Sequence, residues 1–276
     1  LHQCDRRQRQ MCIRDSGYHG VAPWMQDKER PGILSSDNDH VLKVKWNDLS
    51  SVEELLFNQG DDIACFISSP YDHPVSRDNS LPEDGYWQKL TDLCRKHNVI
   101  TIVDDVRAGF RIDLKGSNVH FGFDPDMICF GKAIANGHPL AALVGKDDLK
   151  KAAEKVYFTG TQFFSAPPMA AAIATLDELK KFDAPKKLIK YGEKLNKRLV
   201  LAAKQKGFNL IASGMPSMPY YRLDGVSFET HIKWIDECVK RGVYMLSYHN
   251  HFISLAHSEK DIDFIEGATK QAFEAL

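Results

Sequence analysis

Short apolar runs alternate along the chain with stretches in which apolar residues recur every three or four positions. IACFIS (63–68) and VITIVDDV (99–106) are too short for helices and rich in β-branched and aromatic residues, so they predict buried strands. Between them Tyr86, Leu90, Leu93 and Cys94 form one apolar stripe at helical spacing after Pro82, which predicts a strand, helix, strand unit. MICF (127–130) and PLAALVG (139–145) predict two more strands, followed by helices over 147–155 and 168–181. This alternation predicts an α/β fold with a mostly parallel sheet covered by helices.

A long charged helix over 184–206, stopped by Gly207, marks a change of character. Beyond it the pattern predicts a strand at MPYYRL, a helix over 227–241, a strand at VYMLSY and a terminal helix from Ser258. The expected organisation is a large domain over 17–182 and a smaller α+β domain over 183–276. Residues 1–16, LHQCDRRQRQMCIRDS, are basic and polar without either period, resemble translated vector sequence, and are expected to be a non-native leader outside the fold.

Composition narrows the classes. The 276 residues are 43% hydrophobic and 26% charged, as in a soluble globular protein. The 36 basic and 37 acidic side chains nearly cancel, so no global field favours nucleic acid or a membrane surface. No apolar run reaches the ~20 residues that span a bilayer, and six scattered cysteines without a C-x-x-C suit reduced thiols. The expected location is the cytoplasm.

Two segments could carry chemistry. In IVDDVRAGFR, Asp104 and Asp105 close a strand, where side chains line the ligand crevice of an α/β sheet. Adjacent strand residues face opposite ways, so they are not expected to act as one pair. A salt bridge under the sheet, or a metal-dependent hydrolase built on both, remain open readings. In MICFGKAIANGHPLAALVG, Lys132 stands in a glycine-flanked turn between strands. It is either an ordinary loop lysine or an amine whose pKa burial lowers until it attacks a carbonyl. Asp104 and Lys132 at successive strand ends offer the carboxylate and the amine that pyridoxal phosphate chemistry needs. His249, His251 and His257 suggest a metal at first sight, but His249 and His251 would alternate across an extended strand, and no metal is expected there.

VDDVRAGFR resembles the D-E-V-x-x-G-F-R stretch of class III aminotransferases, and CFGKAIANGHPLAALVG resembles their cofactor-lysine segment. GYHG (17–20) and FTGTQFFSAPPMAAAIATL are similar to two further motifs of the family, and the glutamate-1-semialdehyde aminomutase-like group shows the nearest resemblance. This resemblance implies fold type I with pyridoxal 5'-phosphate as cofactor. It implies that Lys132 binds the cofactor and shuttles the proton, that Asp104 holds the ring nitrogen, and that Tyr18 and Val106 cover the two ring faces. His19 would support the turn, and Thr161 would reach a phosphate across a homodimer with shared sites. The implied reaction moves an amino group between an amine or amino acid and a carbonyl compound. The alternatives are an intramolecular aminomutase and a non-catalytic subunit. Two departures stand out: Ser69 where many relatives have Glu before Pro, and Asp105 where Glu is usual. The phosphate-binding helix N-terminus of the family would precede Gly17 and is expected to lie outside this chain.

Overall fold

The computed structural model describes residues 9–27 and 29–276, in two compact units. One comprises the chain up to Pro70 together with Pro82–Glu178; the other comprises Tyr71–Leu81 and Leu179–Leu276. The division thus falls four residues before the expected 182, and the segment 71–81, expected within the large domain, clusters with the second unit.

The first unit is built on a six-stranded sheet. Its strands are β1 (Met11–Arg14), β2 (Val41–Lys43), β3 (Ile63–Ser68), β4 (Ile100–Asp104), β5 (Met127–Phe130) and β6 (Ala142–Gly145). Their order is β2-β1-β3-β4-β5-β6, parallel except for the antiparallel pair β5–β6. Helices α1 (Leu49–Gln59) and α2 (Tyr86–Lys96) provide the crossovers into β3 and β4, which a parallel pair requires. Asp48 caps α1 by accepting from the Ser51 amide at 3.1 Å. Leu56, Trp87 and Leu90 pack with Ile13, Phe66 and Val103 in one buried cluster. Short helices α3 (Ser117–Phe121) and α4 (Lys150–Ala153) and the longer α5 (Ala166–Lys181) follow.

One expectation is corrected here. Residues 1–8 lie outside the described residues, but 11–14 of the expected leader form β1, hydrogen-bonded between β2 and β3. Ile13 is fully buried, so a single apolar residue placed against Phe66 across the ladder outweighs the basic flank.

The second unit packs α6 (Ala184–Gln205), α7 (Phe228–Lys240) and α8 (Glu259–Glu274) around the antiparallel pair β7 (Asn209–Ser213) and β8 (Tyr220–Asp224). Its core includes Leu199, Trp234 and Phe273, the last two stacked at 5.2 Å. The predicted strand at VYMLSY is absent: 243–248 alternates in burial at its start but has no ladder partner among the described residues.

Candidate active site

The carboxyl ends of β1, β3, β4 and β5 deliver the functional side chains. Asp15 follows β1, Ser68 ends β3 with Ser69 after it, Asp104 ends β4, and Gly131 and Lys132 follow β5. Asp104 and Cys129 are register partners, so Lys132 lies three residues beyond the position opposite Asp104.

His19 is clamped between two carboxylates. Its Nδ1 is 2.9 Å from Asp104 Oδ2 and its Nε2 is 2.6 Å from Asp15 Oδ1, with the imidazole wholly buried. Burial alone would push the imidazole down, but the hydrogen bonds to Asp104 and Asp15 outweigh it and hold it up at about 9. His19 is therefore an imidazolium at neutral pH, donating from both nitrogens. Asp15 also accepts from the amides of Gly17 at 2.5 Å and Ser69 at 3.0 Å and from the Ser68 hydroxyl. Burial would raise this carboxyl, yet His19, Ser68 and the Gly17 amide keep it below the usual carboxylate range.

The two aspartates of β4 part company. Asp104 Oδ1 accepts from the Val106 amide at 3.2 Å, while its other oxygen meets His19. Asp105 is 1% exposed and accepts from the amide and hydroxyl of Ser117, at 2.8 and 2.6 Å, at the start of α3. Burial pushes Asp105 up to about 7 despite those bonds.

Lys132 sits in the left-handed region at φ 43°, a costly conformation for a side-chain-bearing residue and one found at functional sites. Loss of water lowers its ammonium below the ordinary lysine value, Arg107 and Arg111 add to this, and Asp104 opposes it. Val106 packs against the preceding residue: a Cβ on Gly131 would stand 3.0 Å from Val106 Cγ1, so glycine leaves the room Val106 fills. Tyr18 is about half exposed beside His19, and Thr161 lies in an exposed turn between α4 and α5. Neither makes a side-chain hydrogen bond among the described residues. The Ser69 hydroxyl is buried without a partner, its carbonyl taken by Trp46 Nε1 at 3.2 Å.

Asp15 was missed because it lay in the expected leader. Its signal was an aspartate closing a short apolar run four residues before a histidine. The histidines near the end each bind local backbone: His249 Nδ1 meets Asn250 O, His251 Nε2 accepts from the Leu246 amide and His257 Nδ1 accepts from the Ser254 amide. An apolar groove of about 490 Å³ in the second unit is lined by these three histidines with Leu195, Tyr221 and Ile253 among others, and by neither Asp104 nor Lys132.

The residues fit a planar cationic ring bearing a carbonyl. Asp104 supplies an anion for a ring N–H, Val106 an apolar surface, and Lys132 an amine lowered toward its nucleophilic form. A family model described as aminotransferase class-III matches residues 29–258. The aminopentol aminotransferase of Sphingopyxis macrogoltabida is 36% identical over 260 residues, covering 94% of this chain and 61% of that protein. The glutamate-1-semialdehyde 2,1-aminomutase of Desulforapulum autotrophicum is 31% identical, covering 90% of this chain and 64% of that protein. The solved FumI protein of Sphingopyxis sp. MTA144, in a PLP form, superposes with a TM-score of 0.93 at 35% identity, covering 98% of this chain and 66% of that one. The chain thus spans under two thirds of the length of these relatives.

Proposed function

The chain belongs to the class-III aminotransferase family, and from that membership we propose that it carries the lysine-bearing part of a pyridoxal 5'-phosphate enzyme that moves an amino group between an amine or amino acid and a carbonyl compound. The observation that supports this most is the placement of Lys132 and Asp104 at the carboxyl ends of neighbouring strands, with Asp104 held by the protonated His19. When bound, the cofactor supplies the carbonyl that captures the amino group and a ring that withdraws electrons.

The chain's own residues have distinct tasks in this reading. Asp104 would face the ring nitrogen, and His19, backed by Asp15, fixes the orientation of that carboxylate. Val106 and Tyr18 cover the two ring faces. Lys132 would hold the cofactor carbonyl and, as a free amine, would take up and return the proton at the substrate carbon next to nitrogen. Thr161 donates to a cofactor phosphate of a second copy, which makes the working unit a homodimer with shared sites. Retention of both Asp104 and Lys132 argues against a non-catalytic subunit. Transfer between molecules is preferred to the intramolecular aminomutase reaction because the aminopentol aminotransferase is 36% identical and the aminomutase 31%. No described helix is long and apolar enough to cross a membrane, and the described cysteines are free, which supports a reducing compartment such as the cytoplasm.

Borohydride reduction in the presence of pyridoxal phosphate, followed by peptide mapping, tests the assignment. The expected adduct is on Lys132; an adduct on another lysine with Lys132 unlabelled overturns it.

A further inference from the structure

The turn that carries Lys132 ends in Ala135-Asn136-Gly137-His138. The His138 amide donates to the Ala135 carbonyl at 3.1 Å, and both central residues have positive φ, 44° at Asn136 and 101° at Gly137. This is the type I′ arrangement that Asn-Gly favours. Both residues are exposed, and no hydrogen bond holds the Asn136 side chain among the described residues. Asn136 is also the sole asparagine of the chain followed by glycine.

An asparagine followed by glycine is chemically labile, because the next backbone nitrogen has no Cβ beside it to shield its approach to the side-chain amide. We propose that Asn136–Gly137 is a site of spontaneous modification that ages the lysine turn. The Gly137 nitrogen attacks Asn136 Cγ, a five-membered imide closes, and ammonia leaves. Water then opens the ring at either carbonyl, giving aspartate or, through the other bond, isoaspartate. No oxidant or catalyst is needed. Asn136 at ψ 53° does not aim its Cγ at the Gly137 nitrogen, so the turn must open first, and the rate reports how often it does.

The product differs from the parent in two ways that matter for Lys132. Either form adds a negative charge four residues beyond the lysine, which favours the ammonium and opposes the lowering that partial burial produces. Isoaspartate also lengthens the backbone of a turn whose hydrogen bond fixes its closure. Modification should therefore slow capture of a carbonyl by Lys132, a consequence that rests on the role assigned to that lysine, whereas the modification itself does not.

The test ages the chain in mildly alkaline buffer and follows each asparagine by peptide mass mapping and isoaspartyl methyl-transfer labelling. The expected result is conversion at Asn136 ahead of every other asparagine. Conversion elsewhere first, with Asn136 intact, overturns the proposal. Asn136→Gly serves as the resistant control because glycine accepts the left-handed conformation. Aged unsubstituted chain should take the borohydride-fixed pyridoxal phosphate label at Lys132 several-fold more slowly than fresh chain, and aged Asn136→Gly chain should not slow. Equal labelling of fresh and fully converted chain overturns the link to the lysine and leaves no reason to call the turn an ageing device.

Discussion

Asp104 and Asp105 share a strand end but not a chemistry. Asp104 faces an imidazolium, and Asp105 is sunk against the start of α3, where the Ser117 amide and hydroxyl donate to it. Asp104→Asn should lower turnover by roughly a hundredfold or more, the scale of losing one aimed electrostatic group, because a neutral amide cannot hold a ring proton. Asp105→Asn should cost far less turnover, as measured by parallel steady-state assays. Stability separates them in the opposite sense. Asp105 is raised from 3.8 to about 7, so the folded chain keeps a proton that the unfolded chain releases. Stability contributed by this site is full below about pH 4 and declines as pH climbs to about 7. Denaturant melts across that window should show the decline in the parent and its loss in Asp105→Asn. His19 is raised as well, from 6.5 to about 9, so its contribution is intact below pH 6.5 and is lost as pH rises through 9. The His19 ring resonances in NMR should titrate near 9 and fall toward 6.5 in Asp104→Asn.

At the scale of elements, most of the pattern was readable because local periodicity and local packing agreed. The strands expected at 63–68 and 127–130 form as Ile63–Ser68 and Met127–Phe130, and the long helix expected over 184–206 forms as Ala184–Gln205. What failed depended on neighbours. β1 has too few apolar residues to stand out and owes its existence to slots on both sides, whereas VYMLSY has the alternation but no ladder partner among the described residues. The site followed the same rule: Lys132 and Asp104 were visible from motif and strand end, but the clamp on His19 joins Asp15, four residues before it, to Asp104 on a strand remote in sequence. Helix α6 hides another long-range demand. Gly192 lies in its middle, and a Cβ there would come within 1.8 Å of the Pro216 carbonyl. Gly192→Ala, favourable for an isolated helix, should instead destabilise the protein by about 3 kcal/mol, read as a lower urea midpoint. The ion pairs joining α6 to α8, such as Arg198 with Glu266 at 3.4 Å, should matter far less, since exposed pairs are worth about 1 kcal/mol or below.

For the whole molecule, the surface between β6 and α5 is the most informative. Val156, Tyr157, Phe158 and Phe164 stand together in sequence with Tyr157 91% exposed and Phe164 78% exposed, an apolar cluster next to Thr161 that a lone soluble chain would be expected to cover. This is the surface on which the proposed homodimer would close. Sedimentation should show a dimer that Tyr157→Lys with Phe158→Lys dissociates, while the far-ultraviolet spectrum stays unchanged. Mixing a Thr161→Ala chain with a Lys132→Ala chain should recover turnover that neither has alone, because one of the two shared sites is then whole. A fully active monomer would exclude the arrangement.

The strand order also carries a timetable. β3, β4, β5 and β6 are neighbours in the same sequence in which they are synthesised, so each can add to the last across a connection shorter than the one that β1 must close. β1 must instead insert between β2 and β3, closing a loop of some fifty residues before its ladder repays the entropy. Asp104 and Lys132 would therefore meet in an early, locally assembled nucleus, and the histidine clamp would arrive with the last strand to dock. In native-state hydrogen exchange the amides of β1 should open at lower free energy than those of β4 and β5. A population would then exist in which the lysine turn is formed while its aspartate still lacks the neighbouring positive charge.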